Sequence, residues 1–119
     1  MSFYLLTNDF YTSLLGFDII SPYSVKVLQL QASKRHADLL PKAWETNLLS
    51  FSLSVFSKIG FRNAEMIRAE DIRWYDDPVN IPDSELPAHQ ERLRTRYNMT
   101  ARRLGFVFDP NKNVFVKKL

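Results

Sequence analysis

The chain has 119 residues, 45% of them hydrophobic, which suits one compact domain with its own core. It contains no cysteine, which excludes disulfides, thiolate metal sites and cysteine nucleophiles and fits a reducing, cytoplasmic setting. The net charge of +3 is unevenly placed: residues 91–119 hold eight basic and two acidic residues, a net +6, against −3 for the first ninety. A basic end of this kind points to phosphates or to an acidic protein surface, unless it folds back on the acidic middle of its own chain.

The N-terminal stretch has no basic leader and is broken by Asn8 and Asp9, so it does not read as a signal peptide. No uncharged apolar run approaches the roughly 18 residues of a spanning helix. A soluble protein without membrane contact is the expectation.

In chain order, Thr7-Asn8-Asp9 ahead of Phe10, Tyr11, Leu14 and Leu15, with Gly16 behind them, has the cap and stop of a short helix. Ser21-Pro22 is a second start signal. Over residues 22–40, Val25, Leu28, Ala32 and Leu39 keep helical spacing, although Val25/Val27 and Leu28/Leu30 alternate like strand residues; a helix is expected. Pro41 then opens a third helix and Gly60 closes it. Trp44, Leu48, Leu49, Phe51, Leu53, Val55, Phe56 and Ile59 put apolar groups on more than one face, the pattern of a central helix with Trp44 buried. Ser50, Ser52 and Ser54 alternate with Phe51, Leu53 and Val55 as in a strand, but the ~18 residues between punctuators favour helix.

Phe61 to Ile72 is expected to continue as a short helix, broken by Trp74-Tyr75-Asp76-Asp77-Pro78, and residues 76–83 read as a surface loop. Asp83 or Ser84 caps the last helix, Pro87 falls in its first turn, and Gly105 supplies the stop. At ~100° per residue, Leu93, Tyr97, Ala101 and Leu104 form an apolar track, while Arg92, Arg96 and Arg103 form a separate stripe. Phe106–Phe108 and Val114–Val116 flank the turn residues Asp109 to Asn113 and predict a hairpin. The expected fold is therefore α+β and mainly α-helical, about four helices followed by a C-terminal β-hairpin. Helix then hairpin resembles the order of recognition helix and wing in winged-helix folds, a likeness of topology alone.

No constellation specifies a chemistry. Three glycines, at Gly16, Gly60 and Gly105, cannot build a phosphate-cradling loop. His36 and His89, each two residues from a carboxylate (Asp38, Glu91), read as solvated surface histidines rather than metal ligands. Glu70, Asp71, Asp76, Asp77 and Asp83 read as caps and loop residues, and no serine sits in a nucleophile elbow. The expectation is a non-enzymatic protein with no metal and no cofactor.

Candidate contact residues are Arg92, Arg94, Arg96, Arg102, Arg103 and Lys112, with Trp74 and Tyr75 as an aromatic patch beside Arg73. The first expectation is a small nucleic-acid-binding or regulatory protein that meets phosphates through the basic helix and hairpin. The alternative is a protein-interaction module, whether inhibitor, adaptor, oligomer or assembly subunit, that binds an acidic partner surface. In that case the hairpin, apolar on both faces, is suited to adding a strand to a partner sheet.

Overall fold

The computed structural model describes residues 2–7, 10–32, 44–78 and 80–119. Its first elements are strands: β1 (Ser2–Thr7), β2 (Phe10–Ser21) and β3 (Ser24–Ala32), each antiparallel to the next. Pro22 and Tyr23 form the turn between the paired Ser21 and Ser24, and the Tyr23 N–H donates to the Ser21 hydroxyl at 3.3 Å. Ser21-Pro22 thus starts a turn, not a helix, because proline's fixed φ serves both. Gly16, expected as a helix stop, lies inside β2 at a register shift. A Cβ there would sit 2.9 Å from Cγ of Gln29, so a larger residue would have to displace that side chain.

Residues 33–43, which include the rest of the second expected helix, Pro41 and the His36/Asp38 pair, lie outside the described residues. So do Asn8 and Asp9. The chain continues as α1 (Trp44–Lys58), in which Trp44 is buried and the Ser52 hydroxyl, also buried, donates to the Leu48 carbonyl at 2.8 Å. That bond removes the cost of a polar group on the packed face, and the serine alternation is carried by helix.

Where a short helix was expected, β4 (Asn63–Ile67) runs parallel to β3 and antiparallel to β6 (Val114–Lys118). One 3₁₀ turn at Ala69–Asp71, the short α2 (Arg73–Asp76), a second 3₁₀ turn at Asp83–Glu85 and α3 (Leu86–Arg103) follow, and β5 (Val107–Asp109) completes the hairpin with β6. The 3₁₀ turn displaces the start of α3, so its N-cap is Glu85 rather than Asp83 or Ser84.

Among the described residues the sheet has six strands in the order β1-β2-β3-β4-β6-β5. This overturns the expected order of about four helices and a hairpin. The hairpin exists, but as the margin of a mixed sheet that begins with strands, so the winged-helix order is wrong as well. The reason is physical: a short apolar run gains little as an isolated helix, whereas β4 gains ladder bonds on both sides, from β3 and from β6.

Alternation places the core on one face of the sheet. Val25 and Val27 of β3 and Ala64 and Met66 of β4 are fully buried, with Lys26 and Glu65 between them only partly covered. They belong to one cluster with Leu49, Leu53 and Phe56 of α1 and Leu93, Tyr97 and Ala101 of α3. The Phe17 and Phe56 rings meet edge to face at 4.7 Å, which seats α1 on β2. No helix among the described residues is long and apolar enough to cross a membrane.

Candidate binding surface

Helix α3 is pinned to the sheet along one side and free along the other. Leu93, Tyr97, Thr100 and Ala101 are buried, which fixes the rotation of the helix. Arg92, Arg96, Met99 and Arg103, spaced by four, three and four residues, then fall on one outward stripe roughly 16 Å long at 1.5 Å per residue. Together with Thr95, Thr100, Glu91 and Glu45 they line an open groove of about 390 Å³. Met99 is 44% exposed in the middle of this row of guanidiniums.

The charges in the groove are partly balanced. Arg96 Nε donates to Glu45 Oε1 at 3.0 Å, with the glutamate side chain 15% exposed, a charge-assisted bond that ties α3 to the first turn of α1. Glu45 also suits that position because the helix N-terminus favours an anion. Arg92, Arg102 and Arg103 have no carboxylate at ion-pair distance among the described residues. Arg102 and Arg103 lie in the last turn of α3, where the helix dipole itself favours cations.

The other expected contact residues are engaged within the molecule. Arg94 donates to Glu91 at 2.6 Å and to the hydroxyl of Tyr75, with its guanidinium 6.0 Å from the Tyr75 ring centre. Lys112 reaches Glu65 at 3.8 Å. Tyr75 is buried and Trp74 half-buried against the core, so the two do not form an exposed aromatic patch. The α3 residue His89 is half-buried and donates from Nε2 to the Trp74 carbonyl at 2.9 Å, which makes it a fastener between α2 and α3 rather than a solvated histidine.

Folding back onto the acidic part of the chain is partial: Arg96 meets Glu45 and Lys112 meets Glu65, but no ion pair among the described residues joins the α3 arginines to Asp71, Asp76, Asp77 or Asp83. Asp71 is held instead by Arg68, Nε to Oδ2 at 2.8 Å, and that hydrogen bond keeps its carboxyl below the ordinary carboxylate range. Asp76 accepts from Gln90 at 3.2 Å. Glu45 and Met99, like Thr95 and Thr100, line the groove without being among the contact residues expected from the sequence. Met99 was legible, three positions after Arg96 on the same stripe, whereas nothing local to Glu45 announced its partner.

A second basic concavity, of about 480 Å³, lies on the sheet beside the hairpin, lined among others by Val107, Val116, Lys112, Lys117 and Lys118. The fold and these two surfaces define a class, a small α+β protein with a basic helix face and a basic sheet margin. No family model matches the chain, no curated protein matches it, and no solved structure matches its fold.

Proposed function

We propose that this protein is a non-catalytic interaction module that takes an acidic protein partner along the outward face of α3, acting inside the cell. The observation that carries the reading is the composition of the groove: Arg92, Arg96 and Arg103 flank the exposed Met99, and the carboxylates Glu45 and Glu91 line the same groove. Mixed charge around an apolar centre suits a protein surface, where desolvated apolar contact supplies affinity and charge supplies register. A bare phosphate backbone would gain nothing from Met99.

Nucleic acid is the second reading, favoured by the unpaired Arg92, Arg102 and Arg103 within the +6 C-terminal segment. Titrations with poly-L-glutamate and with a mixed-sequence DNA duplex, on the native protein and on the Arg92→Gln/Arg96→Gln/Arg103→Gln variant, separate the two. Glutamine keeps helix propensity. Expected is polyglutamate binding that survives physiological salt and weakens about tenfold in the variant. Duplex binding with a salt slope that drops by about three units in the variant would replace this reading with the second. Unchanged binding of both probes would remove α3 from the function. Should loss of the Arg96 to Glu45 bond lower the melting temperature, the Arg92→Gln/Arg103→Gln variant answers the same question without touching it.

A further inference from the structure

The sheet ends on an open edge. β5 pairs with β6 on one side and closes the strand order, so among the described residues the backbone groups on its other side have no strand opposite. The edge is short, three residues, and carries a charge only at its end, in Asp109; no lysine, proline or bulge falls within Val107-Phe108-Asp109. Instead Val107 is 67% exposed and Phe108 is 40% exposed. Neighbouring strand residues face opposite sides, so the edge offers an apolar contact on each face of the sheet. On the Phe108 face that contact extends inward, because Phe108 meets Phe115 edge to face at 5.4 Å.

The Val107 face adds charge. There the concavity of about 480 Å³ carries Lys112 and Lys118 beside Val107 and Val116, while Lys117, between Val116 and Lys118, leaves the strand on the Phe115 side. Of its cations only Lys112 has a carboxylate in range among the described residues, Glu65 at 3.8 Å. The nearby Asp109 is committed to the turn, its carboxylate accepting the Asn111 N–H at 2.9 Å.

We infer that β5 is a docking edge for an extended acidic segment of a partner protein, which adds to the sheet as a further strand with carboxylates toward the lysines and apolar residues toward Phe108. Main-chain bonds supply the attachment and the alternation supplies the specificity. A second copy of the chain is the wrong occupant, since edge-to-edge pairing would bring two groups of lysines together. The surface is separate from the α3 groove and shares with the preceding proposal only the acidic character of the partner.

The test uses a fluorescent peptide of alternating glutamate and valine, N-methylated on every valine so that it has one bonding edge and cannot stack on itself. It is expected to bind the native protein and, equally, the triple glutamine variant of α3, while amide exchange at Val107–Asp109 slows. Methylating every residue, or exchanging glutamate for lysine, is expected to weaken binding at least about tenfold. The inference is overturned by absence of binding, by binding that full methylation leaves intact, by protection elsewhere than β5, or by loss of binding in the α3 variant.

Discussion

The hydroxyl of Tyr97 on α3 stands in for a missing strand beside Leu30 on β3, accepting its N–H at 2.8 Å and donating to its carbonyl at 3.3 Å. β4 accompanies β3 only from Ser24 to Val27, so Leu30 lies beyond the end of the ladder with its polar backbone buried. A buried backbone group needs a partner, and the one that arrives comes from the helix across the core. The same bond sets the height of α3 on the sheet and hence the position of the arginine row.

Tyr97→Phe is expected to cost about 1–3 kcal/mol, because it leaves the Leu30 N–H and carbonyl without a partner. Burial pushes the Tyr97 hydroxyl from 10.0 up to about 12. The folded state therefore favours the neutral phenol, and its contribution is complete below pH 10 and lost as the pH rises from 10 to about 12. That loss amounts to roughly 2–3 kcal/mol. Urea denaturation across this range should show an extra decline in the native protein that the phenylalanine variant lacks. Parallel profiles for the two would refute the assignment.

Truncations along α1 should split by face. Leu49 is 0% and Phe56 1% exposed, and the Phe56 ring meets Phe17 at 4.7 Å and Phe61 at 6.1 Å. Leu49→Ala is expected to cost about 2–5 kcal/mol and Phe56→Ala about 3–5 kcal/mol. Phe51→Ala, on the same helix but 63% exposed, should stay within about 0.5 kcal/mol. Equilibrium unfolding of the three variants checks this, and equal effects at Phe51 and Phe56 would mean that the helix is rotated differently.

Gly105 ends α3 at φ 81°, where an added Cβ would lie 3.1 Å from the Lys117 ammonium. Gly105→Ala combines left-handed strain with displacement of that lysine and should cost about 1–3 kcal/mol. Gly105→Asn should cost less than alanine, because asparagine tolerates the left-handed region. Thermal melts rank the pair, and alanine no worse than asparagine would show that the helix end does not impose this conformation.

The legible parts of the fold are those whose signals act within a few residues. Gly60 marks the end of α1, Pro87 and Gly105 bracket α3, and the Asp109 to Asn113 turn joins β5 to β6. The arginine stripe was legible for the same reason, since spacing along one helix decides which side chains share a face. The β3 segment carried competing periods, and the cap and stop signals at Thr7, Gly16 and Ser21 fit turns and a bulge as readily as helix ends.

The amino-acid sequence by itself determined the central helix, the basic helix with its two faces, the closing hairpin and the uneven charge. Only the tertiary structure decided that residues 2–7, 10–21, 24–32 and 63–67 are strands, that β3 and β4 run parallel, that Glu45 balances Arg96 and that Tyr97 completes Leu30. A helix closes its hydrogen bonds on neighbours four residues away, so its evidence is local. A strand closes them on another segment, and β4 meets β3 and β6 across long separations in the chain. The energy that selects it is absent until those segments meet.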